Sequence, residues 1–343
     1  MTTVDVKIAL PGRRFDRLTA LAPGLALTAG IAALAFALRL IPGVSVLSPM
    51  ILSVVIGALT HNFVGAPHAA RPGVAFSLRA ILRFSIILLG LQITARQAAD
   101  LGPGGLAMIA AALLSTLAFT VVAGRALGVA RGLALLIGVG TSICGASAVI
   151  AAKAATGGDD DDAAYAVACV TLFGTLAMFV YPAAQGLIHL SPRAYGLWAG
   201  ASIHEIAQVV AASFQSGAAA GQFGTIAKLT RVAMMAPVVI ALGEMTVRLG
   251  LAGDGERRRP PFPWFLIGFL ALSAFNSLVA VPHAIAAPIG VVTTFLLSVA
   301  MAAMGLHTDL GHIRSRGLRP LALGLLASLF ISLFSLVMVR LIA

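Results

Sequence analysis

Residues 104–122 read GGLAMIAAALLSTLAFTVV, a run without one ionisable side chain. About 20 such residues in a row are what an α-helix needs to cross the roughly 30 Å hydrocarbon core of a bilayer. Inside that core a backbone group finds no water, so a chain built of such runs is helical rather than an open sheet. The quoted run extends to 104–123, and others lie on either side at 20–41, 48–64, 80–94, 132–152, 163–183, 196–213, 229–247, 263–281, 287–306 and 317–342. The expected fold is an all-α polytopic membrane protein with about 11 transmembrane helices. No connection is long enough for a separate soluble domain. A cleavable signal peptide is not expected, because the first run is too long for one and nothing soluble follows it.

The composition agrees. Of 343 residues, 59% are hydrophobic and 10% charged, and the mean hydropathy is +1.01. A water-covered chain carries about 25% charged residues. The 23 Lys+Arg against 12 Asp+Glu, a net charge of +11, would point to nucleic acid in a soluble protein. In a membrane protein, basic residues mark the cytoplasmic loops. With the N-terminus inside, 16 of the 23 fall in inner loops: Lys7, Arg13, Arg14, Arg17, Arg71, Arg79, Arg125, Arg131, Arg193, Arg248, Arg257, Arg258, Arg259, Arg314, Arg316 and Arg319. The outer loops hold Arg39, Arg96, Lys153, Lys228 and Arg340, and Arg83 and Arg231 lie just inside runs. The basic excess therefore reports topology, with the N-terminus in and the C-terminus out, and no nucleic-acid partner is expected. Cys144 and Cys169 both lie within runs and offer neither a disulfide framework nor a CxxC motif.

Chemistry is expected where a run breaks the apolar rule, since irregular backbone and ionisable groups persist in a membrane only where protein or a water-filled cavity satisfies them. Residues 136–152, LIGVGTSICGASAVIAA, place Gly140, Thr141, Ser142, Cys144, Gly145 and Ser147 together. Glycines permit unwinding, and hydroxyls with freed amides offer donors, which suits a discontinuous helix whose half-helix N-terminus faces an anion. A small-residue packing face is the other reading. A P-loop is excluded for want of its lysine.

Residues 196–212, GLWAGASIHEIAQVVAA, carry His204 and Glu205 in mid-run, with Gln208 one turn after His204. Gln208 also rules out HExxH zinc chemistry. A proton relay or substrate pairing is one reading, and a buried Glu–Arg pair that fixes packing is the other. In 222–237, QFGTIAKLTRVAMMAP, Lys228 and Arg231 share a helical face, either snorkelling to the outer interface or pairing with Glu205 or an anion. Thr293 and Thr294 after Pro288 and Gly290 again suit a broken helix, and Asn276 is a further polar group at depth. The acidic run 159–162 reads as a solvated loop capping the next helix, because adjacent carboxylates diverge too much to ligate a cation.

An offset of about 150 residues aligns IGVGTSICGASAVIAA at Ile137 with IGVVTTFLLSVAMAA at Ile289, and an offset of 148 sets Arg83 opposite Arg231. Two inverted five-helix repeats would fit, because transporters often place their site between such halves. The implied organisation is a cytoplasmic segment 1–19, an extra helix 20–41, a first repeat 45–190 and a second repeat 191–343. Competing matches are GTSIC at Gly140 with GASIH at Gly200, an offset of 60, and LGLQIT at Leu89 with MGLHTD at Met304, an offset of 215.

The strings LRFSIILLGLQIT, GTSICGASAV, TLFGTLAMFVYP, GASIHEIAQVVAA, KLTR and TFLLSVAMAAMGL span nearly the whole chain. On them it resembles the YeiH-type bacterial inner-membrane proteins, a family named for sulfate export and grouped with transporters having the fold of bile-acid/sodium symporters. The resemblance implies inverted five-helix repeats with a crossing pair of discontinuous helices, here the Ile137 and Ile289 segments. After GASAV the chain departs from the family's Pro-containing continuation with Lys153-Ala154-Ala155.

The expected function is secondary active transport of a small anion, sulfate or an organosulfonate, across the bacterial inner membrane by alternating access. The anion would meet Gly140, Thr141, Ser142, Cys144, Gly145, Ser147, Lys228, Arg231, Asn276 and Thr294, with His204, Glu205 and Gln208 coupling movement to an ion, proton or sodium. No cofactor, metal set or catalytic group is expected; the partners are the anion, the coupling ion, the bilayer and a second copy of the chain in a homodimer. A sodium-coupled carboxylate carrier, a passive channel, or an intramembrane enzyme using Cys144 or Ser142 with His204 are the alternatives.

Overall fold

The computed structural model describes residues 14–65, 67–248, 263–279, 282–307 and 318–342. Among them there is no strand. The helices of ten or more residues are α1 (Arg14–Leu38), α2 (Pro49–Val64), α3 (His68–Gln92), α4 (Gly102–Ala126), α5 (Arg131–Ser142), α6 (Ala146–Thr156), α7 (Asp160–Ile188), α8 (Pro192–Ser202), α9 (Ile206–Gln215), α10 (Ala218–Arg248), α11 (Trp264–Leu278), α12 (His283–Leu306) and α13 (Leu318–Ile342). Within the described residues, seven are long and apolar enough to cross a membrane: α1, α3, α4, α7, α10, α12 and α13. The acidic run behaves as its sequence reads: Asp159 caps α7, its carboxylate accepting from the main-chain N–H of Asp161 at 2.9 Å and of Asp162 at 3.1 Å.

Two compact units emerge, Met1–Ser85 with Thr294–His307, and Ile86–Thr293 with Thr308–Ala343. In the first unit small residues let helices touch along their backbones, as membrane helices must when hydrophobic burial no longer drives their association. A Cβ at Gly24 of α1 would sit 2.6 Å from Gly73 Cα of α3, and one at Gly305 of α12 would sit 2.7 Å from Ala58 N and 3.0 Å from Gly57 Cα of α2. Ile31, Ala70, Val74, Ala302, Ala303 and Leu306 fill the space these contacts close. Gly305→Val is expected to cost about 1–3 kcal/mol by overpacking, read as a lower thermal midpoint of the purified protein in detergent. An unchanged midpoint would contradict the contact.

Two helices start well before their apolar runs, by about three turns. Helix α3 begins at His68 rather than at 80, because Ala70, Val74 and Ser77 are buried at helical spacing while Arg71 and Arg79 stay exposed. Helix α10 begins at Ala218 rather than at 229. Its first turns are held by close glycine contacts: a Cβ at Gly196 of α8 would lie 2.9 Å from Gly224 N, and one at Gly200 would lie 2.7 Å from Ala227 Cβ. Lys228 and Arg231 thereby lie deep in a helix, 0% and 1% exposed, instead of at an outer interface.

The largest correction concerns the runs 132–152 and 196–213, neither of which forms a helix continued in one direction. Each folds back as a helical hairpin. A Cβ at Gly140 of α5 would sit 2.7 Å from Val149 Cγ2 of α6, and one at Gly132 would sit 3.7 Å from Asp162 Oδ2, beyond the end of α6. In the other pair, Tyr195 in the first turn of α8 donates its hydroxyl to Ala212 O in the last turns of α9 at 3.3 Å. Continued straight at 1.5 Å per residue, seventeen residues would span about 25 Å. The crossing partner expected at Ile289 is unbroken: α12 runs through Pro288 and Gly290, since a proline this near the start of a helix removes one ladder bond without ending it. It is the offset of 60 that pairs like with like. The hairpin α5–α6 followed by α7 matches the hairpin α8–α9 followed by α10, with starts at 131, 146 and 160 against 192, 206 and 218.

Candidate functional site

The two hairpin tips, 143–145 and 203–205, meet beside the middle of α10 in the second unit. Each arm has 10 to 12 residues, about 15–18 Å of helix, half the thickness of a bilayer core. Where α5 and α8 end, their last carbonyls lose intrahelical partners and carry the negative end of the helix dipole. Two cations from α10 meet them. Arg231 donates from Nε to Ser142 O at 3.1 Å, from Nη2 to Thr141 O at 2.7 Å, and from Nη1 to Gly200 O at 3.1 Å and Ile203 O at 2.9 Å. Lys228 Nζ donates to Ile143 O at 2.8 Å, to Ile203 O at 2.9 Å and to His204 O. Six carbonyls from both tips are thus gathered by two side chains three residues apart. All three ammonium hydrogens of Lys228 are engaged.

At the opposite ends of the breaks, where α6 and α9 begin, the dipoles are positive and the leading N–H groups lack helical acceptors. One carboxylate serves both. Glu205 is the N-cap of α9 in a capping box, its carboxylate accepting from the main-chain N–H of Gln208 while the Gln208 side chain accepts from Glu205 N at 3.0 Å. It also accepts from the main-chain N–H of Ala146, the first residue of α6, and from Thr171 Oγ1 of α7 at 3.1 Å. Gly145 makes the approach feasible. Its φ of +72° and ψ of −133° suit glycine, and a Cβ there would sit 2.5 Å from Glu205 Cγ. Gln208 further donates to Thr171 O at 3.3 Å and Thr175 Oγ1 at 3.2 Å, tying α9 to the middle of α7.

His204 is 1% exposed. Its Nε2 lies 3.0 Å from Ser328 Oγ of α13, which also stands 2.8 Å from Gly324 O. Nδ1 is buried and without a hydrogen-bond partner among the described residues, as is Thr141 Oγ1. Tyr181 of α7 stacks on Trp198 of α8 at 3.8 Å between ring centres and donates to Ser202 Oγ at 2.9 Å; Trp198 in turn donates to Ser332 O of α13.

The structure brings together Gly140, Thr141, Ser142, Cys144, Gly145, His204, Glu205, Gln208, Lys228 and Arg231, with Ser147 exposed on the first turn of α6. Neither Lys228 nor Arg231 pairs with Glu205; their donors face carbonyls, which correct the expected buried Glu–Arg pair. Ser142 Oγ lies 3.4 Å from Val139 O and Cys144 Sγ 3.6 Å from Met235 Sδ, so neither is bonded to His204. Asn276, half-buried on α11, stands outside this cluster, Thr294 falls in the first unit, and Arg83 is exposed on α3. Thr171, Ser328, Tyr181 and Trp198 went unnoticed in the sequence. Thr171 and Thr175, one turn apart within an apolar run, were a visible signal for the face that meets Gln208.

Comparison with known proteins places this chain in a family. The family model described as conserved hypothetical protein 698 matches residues 23–324. A UPF0324 membrane protein of Pseudomonas aeruginosa is 38% identical over 95% of this chain and 95% of its own length. One of Bacillus cereus is 35% identical over 92% and 90%, and the UPF0324 membrane protein TauZ of Paracoccus pantotrophus is 37% identical over 91% and 93%. No solved structure matches significantly.

Proposed function

We propose an anion transporter from the premise that this chain belongs to the conserved hypothetical protein 698 family, the UPF0324 membrane proteins, whose YeiH-type members its motifs resemble. It is a membrane protein with several apolar helices. The proposed substrate is a small anion such as sulfate or an organosulfonate, moved by alternating access across the bacterial inner membrane and coupled to an ion. The observation that carries this reading is the single carboxylate of Glu205 held between the starts of α6 and α9, two positive helix ends that suit an anion. Glu205 and Ala146 are half-buried and Ser147 exposed, whereas Lys228, Arg231 and His204 are closed off. An arriving anion therefore meets amides and hydroxyls at Ala146, Ser147 and Thr171, and competes with Glu205 for them. Protonation or outward swing of Glu205 frees the amides, which links anion movement to a proton.

In this reading both hairpins are re-entrant, one entering from each side, so that nine helices cross. The N-terminus stays inside and the C-terminus outside. Lys153 moves to the inner side and Arg193 to the outer, where Arg193 donates to Asp100 O at 2.6 Å and Arg340 donates to Ile188 O at 3.2 Å. The charge bias is as strong as before, and the offset-60 units become the inverted repeats.

Proteoliposomes of the purified protein, loaded with sulfate, sulfite or taurine in turn, test the function by counterflow of the same labelled anion. Saturable uptake of at least one is expected. Glu205→Gln removes charge-assisted bonds worth about 1.5–3 kcal/mol, and should change the rate by roughly 10–100-fold and flatten its pH dependence. No uptake of any of the three, or an unaltered pH profile in the variant, would overturn the respective part.

A further inference from the structure

We infer that Lys228 is a tethered counterpart of a coupling cation, and that the carbonyl site it fills takes no sodium. The inference rests on the transport reading for its meaning, though not for its test. In transporters with interrupted helices, unwound carbonyls and the C-terminal ends of half-helices form the places where a free Na⁺ is coordinated. Here the same elements converge, the ends of α5 and α8 from two hairpins, and the space between their carbonyls is already filled. Lys228 Nζ stands at 2.8 Å from Ile143 O and 2.9 Å from Ile203 O, with His204 O as its third acceptor. It is 0% exposed, and neither ion pair among the described residues includes it.

A cation entering from outside would have to displace a covalently attached one whose every hydrogen is engaged. Arg231 adds a second fixed positive charge on the same carbonyls through Ser142 O, Thr141 O, Gly200 O and Ile203 O. A free monovalent ion next to these two would meet repulsion at short range in a low-dielectric setting. The group that a soluble ion would supply only when bound is therefore part of the chain, and it joins carbonyls of both tips.

The experiment uses thermal unfolding of the purified, full-length protein in detergent, with no transported anion added. NaCl is exchanged for choline chloride at constant ionic strength. The wild-type midpoint is expected to be indifferent to the exchange; a saturable rise specific to sodium would overturn the inference. Lys228→Ala empties the carbonyl cage and should lower the midpoint by several degrees. n-Propylammonium chloride, which replaces the missing atoms, is then expected to restore part of the loss in a saturable way, whereas choline is too large to do so. A variant restored equally by choline, or not restored by n-propylammonium at all, would also overturn it. Should Lys228→Ala fail to fold, the wild-type titration decides alone. Because neither measurement involves transport, a negative counterflow result leaves both readouts intact and separates the two claims.

Discussion

Arg231→Ala is expected to be among the most destabilising single substitutions in the second unit. The guanidinium serves carbonyls of Thr141, Ser142, Gly200 and Ile203 at 2.7–3.1 Å, and at 1% exposure no water replaces it. Each buried carbonyl left without a donor costs about 1–3 kcal/mol, partly relieved by relaxation of the tips. A net loss of about 3–5 kcal/mol follows, the range seen when one member of a buried charged network is removed. In detergent this should appear as a large drop in the thermal midpoint and loss of a monodisperse elution profile. Arg231→Lys keeps the charge but loses the planar fork that reaches both hairpins at once, and should fall between the two. A midpoint for Arg231→Ala within error of wild type would show that the tips hold together by other means.

Gly145→Val is the second large effect, on function more than on folding. The glycine has φ +72° and sits against Glu205 Cγ. A β-branched residue in that conformation costs roughly 1–3 kcal/mol of backbone strain, and its side chain would push the carboxylate away from the start of α6. Gly102→Val separates the two contributions, because Gly102 has φ +62° and a Cβ there would find open space, with no neighbour within 4 Å. Both variants should melt a few degrees lower, but only Gly145→Val should lose anion counterflow and its pH dependence. Equal activity in the two would mean that the Gly145–Glu205 contact has no part in transport.

Much of the architecture was legible because bilayer chemistry writes itself in long apolar runs, and each of the eleven runs falls on a helix or a hairpin. The break at 143–145 was announced by Gly140, Gly145 and the hydroxyls between them. The break at 203–205 was visible only as a His-Glu pair in mid-run, whose chemistry overshadows its effect on the backbone. What one dimension conceals is direction: LIGVGTSICGASAVIAA reads alike whether the chain continues across or doubles back. The partners of Lys228 and Arg231 were invisible for a related reason. They are main-chain oxygens, present at every position, so no residue type could point to them, and the nearest carboxylate stood out in their place.

That choice of partners has a consequence for how the protein can change over time. A clamp made of two side chains and six main-chain carbonyls makes no demand on the side chains at Thr141, Ser142, Ile143, Gly200, Ile203 and His204 beyond their fitting the space. Residues around the tips can therefore be exchanged while the framework that positions them stays the same, so substitution at the surface of the tips is uncoupled from the packing that holds them in place.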